Sequence, residues 1–444
     1  MTFEQLTALA VLVAVVAVMI HGRMRSEVAA ITAAAVLLLL GVVRPVEVQG
    51  AFASPAVIAL ASLFVIAYAI ELSGLLGVLI RQTSRLCARL GEAGLWLVIG
   101  LCGTVGGFLN NTPIVVLAAP VVRDVASDLG LSPKRFLMPL SYVTVLGGLL
   151  TLIGTSTNLL VNDMARNAGQ PTFTLFEITP VGLFVAGVGA AYLFFVGVRF
   201  LPKDTKTVES TDRLPPLALG EARGTEAGAG DAMLGNVALF GAADRPLQIR
   251  KAITALAVFV AVVGAAAFGV APISAAAFAG AVLLILLRVV SPEEAYAGLR
   301  PDILLLIAGM VVVGLSIEVT GLAAAGSDFL IRFIRPFGPM AALVVLYGVT
   351  LVATEFLSNA AVAVLLSPVA VALAESLGVD ARPFLVTVMV AASAAFATPF
   401  GYQTNVLVFQ MGGYRYMDFV RVGAPLNLVT WMAAMIAIPV AFPF

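Results

Sequence analysis

The sequence has very little to titrate. Of its 444 residues one is histidine, two are cysteine, and Asp, Glu, Lys and Arg together make up 11%. A single histidine excludes a His-Glu-x-x-His zinc site. Cys87 and Cys102 are too few for a disulfide framework and read as packing residues. No Gly-x-Ser-x-Gly elbow is present. An intramembrane aspartyl protease needs two mid-membrane aspartates, and none is visible. Zero net charge gives no general pull on nucleic acid. The alternating pattern of a membrane β-barrel is also missing. An enzyme is therefore not expected.

What is present is apolar. Hydrophobic residues make up 61% of the chain. They come in runs of roughly 17–22 residues, the length that crosses a ~30 Å hydrocarbon core as a helix. The fold class expected is an all-α polytopic membrane protein. Its first apolar run lacks a preceding basic region and an A-x-A site, so it reads as a retained helix.

The chain also repeats itself. Phe108-Leu109-Asn110-Asn111-Thr112 returns as Phe356-Leu357-Ser358-Asn359-Ala360. Gly154-Thr155-Ser156-Thr157-Asn158 returns as Gly401-Tyr402-Gln403-Thr404-Asn405. Glu71 matches Glu318, and Pro45 and Glu47 match Pro292 and Glu294. Every offset is 247 or 248 residues, the mark of a duplicated half. Polar, Gly-rich breaks at matching places in two membrane halves are typical of secondary transporters.

Five spans fit the first half, about 4–20, 27–43, 54–70, 136–165 and 175–198. Five fit the second, about 251–270, 273–290, 302–318, 384–410 and 423–442. Between the third and fourth span of each half lies a stretch cut by a polar tip, at 95–129 and 341–377. Each reads as a re-entrant helical hairpin, since bare backbone at membrane depth must face protein or a wet cavity. The fourth span of each half is itself broken, at Gly154–Asn158 and at Thr398-Pro399-Phe400-Gly401. Residues 1–200 thus form one repeat, 201–249 a cytoplasmic linker, and 250–444 a second repeat.

Five spans per half invert the second repeat relative to the first. With both termini outside, the inner loops hold 20 of the 25 Lys and Arg residues, a strong positive-inside bias. Segment 76–90 carries Arg81, Arg85 and Arg89 on one helical face and fits either an interfacial helix or a solvated charge face. His21 sits at a span end and reads as an interface residue.

The four breaks bring neutral oxygens and amides toward mid-membrane: Asn110, Asn111, Thr112, Thr155, Ser156, Thr157, Asn158, Ser358, Asn359, Gln403, Thr404 and Asn405. Hydroxyls and unwound carbonyls suit Na⁺. Half-helix N-termini suit an anion, and Thr112 and Ala360 stand at the starts of two of them. No Lys or Arg lies at either tip or break, so a bound anion must be neutralised by dipoles and cations. Glu355 lies three residues before the Ser358 tip, deep in an apolar run, and reads either as a cation or proton site or as a carboxylate capped by nearby amides within the hairpin. Glu71 and Glu318 lie at span ends and read as anchors.

The Asn110-Asn111-Thr112 and Ser358-Asn359-Ala360 tips resemble the paired Ser-Asn-Thr motifs of the divalent anion–sodium symporter family. The likeness covers nearly the whole chain outside 201–249. It implies a homodimer with scaffold and transport domains that move by an elevator. It also implies one sodium site on Asn110, Asn111, Gly154, Thr155, Thr157 and Asn158. A second would use Ser358, Asn359, Gly401, Gln403 and Asn405. Substrate would lie between them, against Asn111, Thr112, Ser358, Asn359, Ala360 and Thr404.

Two departures stand out. Asn110 replaces a family Ser, and Ala360 replaces a family Thr and removes one expected substrate hydroxyl. The tips look closest to a branch with paired regulatory domains between the halves. This chain has only a short linker there, so no such domain is expected. The expected function is sodium-coupled symport of a divalent anion, either sulfate or a small di- or tricarboxylate, in a bacterial inner membrane. No cofactor is expected beyond Na⁺ as coupling ion. The alternative is a Na⁺/H⁺ antiporter of the same superfamily, with Glu355 as proton carrier. A passive channel fits less well, because hairpins beside broken helices suit occlusion.

Overall fold

The computed structural model describes residues 2–21, 24–75, 78, 90–201, 247–322, 338–399 and 401–444. The Arg81/Arg85/Arg89 segment, Cys87, Phe400 and nearly all of the 201–249 linker lie outside the described residues. The described residues are helical, with no strand among them. In the first half, α1 is Phe3–His21, α2 Ser26–Leu39, α3 Pro45–Phe52 and α4 Pro55–Leu72. It continues with α5 Glu92–Gly106, α6 Asn111–Asp128, α7 Lys134–Gly147, α8 Ser156–Asn167 and α9 Thr179–Phe195. The second half has α10 Ile249–Ala267, α11 Ile273–Leu286, α12 Pro292–Gly298, α13 Pro301–Val319 and α14 Gly338–Phe356. It ends with α15 Asn359–Leu377, α16 Arg382–Ser393, α17 Gln403–Gly412 and α18 Tyr416–Ala441.

The expected spans and hairpins are present as helices, with two kinds of difference. The short helices α3 and α12 were not expected. Both start on proline at the first helical position, and both carry a glutamate at the third that caps the entering backbone. Glu294 and Ser291 exchange such bonds at 2.8 and 3.1 Å. The matched Pro45/Glu47 and Pro292/Glu294 pairs are therefore helix-start signals. Second, α18 begins at Tyr416, so most of the expected 411–422 loop is helix. Asp418 caps its first turn through the Arg415 N–H at 2.8 Å. Charge near this start masked the helix from a hydropathy reading.

The packing follows the repeat. Helix α13 lies on α2, and its counterpart α4 lies on α11. Helix α17 packs on α6 and α7, while α8 packs on α15 and α16. These pairs exchange under the repeat, so the two inverted halves interlock rather than abut. The late helices α9 and α18 cross each other. Gly182 and Gly423 let them approach the breaks: a Cβ at either would collide with the carbonyl of Leu149 or Phe396, themselves repeat counterparts. Helices α5 and α7 touch through Gly103 and Gly147, where a Cβ on Gly147 would strike the Gly103 carbonyl. Close backbone approach at small residues is how membrane helices gain packing energy without a hydrophobic drive. The outer surface stays apolar, as a lipid-facing surface must, with Ile249, Ile253, Leu256 and Val260 exposed along α10.

Candidate functional site

Each hairpin turns on a side-chain cap. The Asn110 carboxamide oxygen accepts the Thr112 N–H at 3.3 Å and starts α6. The Ser358 hydroxyl accepts the Ala361 N–H at 3.3 Å and starts α15. Asn and Ser at these positions thus act first as N-caps. The broken spans restart at Ser156 and Gln403, after Thr155 and Tyr402 in extended backbone. Four helix N-termini are thereby set at the two tips and two breaks, where their free N–H groups favour negative charge.

The breaks are tied off by matching carboxamides. Asn158 Nδ2 donates to the carbonyls of Gly148 and Thr151 at 3.3 and 3.0 Å. Asn405 Nδ2 donates to Ala395 and Thr398 at 2.9 and 3.3 Å. Thr151 donates its hydroxyl to the Gly107 carbonyl. Its counterpart Thr398 reaches the Glu355 carbonyl at 3.4 Å. So each hairpin is fastened just before its tip to the break of its own half. Gly154 lies where a Cβ would be 2.8 Å from the Gly107 carbonyl, and Gly401 where one would be 3.2 Å from Glu355 Oε2. Only glycine passes comfortably at either point.

The halves then diverge. Asn111 is 1% exposed and Asn158 fully buried, and the side-chain oxygen of each has no hydrogen-bond partner. Thr155 and Thr157 place their hydroxyls 3.3 Å apart beside them. Buried carboxamide oxygens without a donor are costly in a protein interior. In the second half the corresponding oxygens are occupied. Asn359 Oδ1 lies 2.9 Å from the Thr354 hydroxyl and shares its one proton with the Ala392 carbonyl at 2.7 Å. Asn405 Oδ1 accepts from Ser141 at 2.7 Å.

Glu355 explains part of the difference. Its two oxygens accept the N–H groups of Ala397 and Thr398 at 2.8 and 3.0 Å, and Oε1 also accepts Asn427 Nδ2 at 2.7 Å. One carboxylate therefore joins hairpin, break and last helix through charge-assisted bonds. The amides that cap Glu355 come from the break and the last helix, not from its own hairpin as the capped reading had them. The first half has Gly107 at this position.

Contacts between halves complete the site. Thr112 donates to Gln403 Oε1 at 3.2 Å, and Asn111 Nδ2 donates to the Tyr402 hydroxyl at 3.1 Å. Thr404, expected against substrate, is fully buried with its hydroxyl 2.8 Å from Ser141, so it is engaged in helix packing. Ala360 lies buried beside the Ser358 cap and offers only backbone. Sequence reasoning missed Tyr402, Ser141, Asn427 and Asp163. Tyr402 could have been found, because it stands at the repeat position of Thr155. Ser141 and Asn427 sit inside apolar runs with no repeated polar partner, whereas Asp163 lies beside Asn162 and matches Gln410 in the repeat. Asp163 is 2% exposed on α8 and pairs with Arg166 at 2.6 Å.

Two inverted helical repeats, each with a capped hairpin tip facing a broken helix, define a multi-pass membrane transporter. Residues 14–387 match the family model described as citrate transporter, and the chain belongs to that family. An uncharacterized transporter of Synechocystis is 25% identical, covering 92% of each chain. Sodium/sulfate cotransporter 1 of Chlamydomonas reinhardtii is 32% identical over 33% of this chain and 17% of its own length. The crystal structure of the Alcanivorax borkumensis YdaH transporter shares the fold, with a TM-score of 0.59 at 15% identity over 88% of this chain and 86% of that one. Family and relatives are transporters, not enzymes. The resemblance to the divalent anion–sodium symporter family agrees with this family match, with the sodium/sulfate cotransporter relative and with the YdaH fold.

Proposed function

We propose that the protein is a secondary active transporter that couples sodium entry to uptake of a divalent anion, sulfate or a small di- or tricarboxylate. The observation that carries this reading is the pair of partnerless oxygens on buried Asn111 and Asn158 beside Thr155 and Thr157. Neutral oxygen donors without hydrogen-bond partners suit a hard monovalent cation. Helix N-termini at the same tips suit an anion, and a cation beside it offsets the cost of burying its charge. The sodium/sulfate relatives support sulfate, and the missing hydroxyl at Ala360 removes one anchor for a longer substrate. The engaged state of both Glu355 oxygens argues against a free proton carrier and so against the Na⁺/H⁺ antiporter. The proposed cycle is an elevator in a homodimer in a bacterial inner membrane, with the broken-helix body moving against a scaffold that includes α2, α4, α11 and α13.

The test is thermal stability of purified protein against a panel of anions, in sodium and then in choline. An anion that stabilises only with sodium present supports coupled binding and names the substrate class. Stabilisation by sodium alone, with a steep pH dependence and no anion effect, would replace symport with antiport.

A further inference from the structure

Tyr402 belongs to the second half, yet its hydroxyl serves the first. It accepts Asn111 Nδ2 at 3.1 Å and stands beside the Thr155 side chain. Both neighbours belong to the proposed first cation site. Tyr402 is moreover the repeat counterpart of Thr155, so a residue and its own duplicate meet across the pseudo-two-fold axis. A threonine there could not span the gap that the tyrosine ring crosses.

A carboxamide has one oxygen end and one nitrogen end, and a cation accepts only the oxygen. At Asn111 the nitrogen end is taken by Tyr402, which leaves Oδ1 buried and without a partner. A Cβ on Gly106 would lie 3.1 Å from that oxygen, and one on Gly148 3.2 Å from the nitrogen, so the carboxamide is closely walled on both sides. Tyr402 is also the residue that starts α17, directly between Gly401 and Gln403 of the second break. Gln403 makes a parallel contact to Thr112 at 3.2 Å. We propose that Tyr402 is a positioning residue for the first cation site, and that it makes the filling of that site depend on the order of the second break. This rests on the reading of Asn111 and Thr155 as ligands of one sodium ion and of the second break as the site of another. The second break, when closed on its own cation, fixes Tyr402 and so presents the Asn111 oxygen. Sodium binding at the two sites is thereby cooperative.

The test is a sodium chloride titration of thermal stability, with choline chloride holding ionic strength, for wild type, Tyr402→Phe, Asn111→Asp and the double variant. Tyr402→Phe raises the half-saturating sodium concentration about threefold to tenfold, the usual weight of one hydrogen bond, and lowers the steepness of the titration toward one. Its stability in choline falls by about the weight of one buried hydrogen bond, and the sodium titration is read from that baseline. In the Asn111→Asp background both ends of the side chain are oxygen, so orientation no longer matters. Adding Tyr402→Phe there shifts the titration by less than about twofold. Tyr402→Thr, which carries the residue of its own counterpart, moves the titration the same way and serves if the phenylalanine variant does not fold. A Tyr402→Phe titration that overlays wild type would overturn the proposal, as would an equal shift in both backgrounds. A wild type that sodium does not stabilise would instead overturn the sodium-coupled reading on which the proposal stands.

Discussion

Asn158 and Asn405 do the same work 247 residues apart: each donates its carboxamide nitrogen to the carbonyls ten and seven residues before it. This is what holds an unwound segment open inside an apolar body. Removal of either amide leaves two buried carbonyls without donors. Asn158→Ala and Asn405→Ala are each expected to cost about 1–3 kcal/mol of stability, read as a lowered melting temperature in detergent. A variant as stable as wild type would show that water replaces the amide freely.

The tip asparagines should behave differently. Asn111→Ala and Asn359→Ala remove sodium-dependent uptake while the purified protein keeps its folded state by size exclusion. Equal uptake by both variants would remove these residues from the site.

Glu355 is bound by three N–H donors from two other elements. Glu355→Gln turns one oxygen into a donor that faces another donor. Sodium-driven anion uptake should fall about tenfold without vanishing, because the break loosens but its ligands remain. Complete loss together with a flattened pH profile would favour proton exchange at this carboxylate.

Gly182→Ala and Gly423→Ala each push a methyl group into a carbonyl at a break. Both should destabilise the protein by about 1–3 kcal/mol and slow transport together. The control is Gly187→Ala, where a Cβ meets nothing within 4 Å.

Glu177 precedes α9 and pairs with Arg382, which also lies 4.8 Å from the Phe173 ring centre. Burial alone would raise its carboxyl, but the Thr174 N–H, the Arg382 guanidinium and the Thr174 hydroxyl hold it below the usual carboxylate range. A depressed native value adds stability above the ordinary carboxylate pKa, and that stability is lost as pH falls through the native value. Glu177→Gln should therefore lower the melting temperature at neutral pH and converge with wild type in acid. Parallel curves at every pH would count against the ion pair.

Much of this was readable beforehand because the polar tips and breaks interrupt apolar runs, and duplication states each of them twice. The Asn110 and Ser358 tips and the Gly154 and Gly401 breaks fall where the residues put them. What sequence could not show is which polar atoms satisfy one another. The bonds Tyr402–Asn111 and Glu355–Asn427 join residues 291 and 72 positions apart, and no local spacing encodes them. Helix α18 was misjudged at its start because Arg415, Asp418 and Arg421 outweigh the apolar face on a hydropathy count. Asp163 was missed because its repeat counterpart is the neutral Gln410, so the duplication does not repeat the charge.

The exchange of Gly107 for Glu355 has a consequence for how the two halves have aged since duplication. A protein assembled from two copies of the first half would have no carboxylate to brace either break. One assembled from two copies of the second would carry that half-buried carboxylate twice. Neither ancestor-like homodimer of halves could stand in for the present chain. The molecule has kept the shape of a duplication while giving one half a carboxylate brace and leaving the other with buried carboxamide oxygens that no donor reaches.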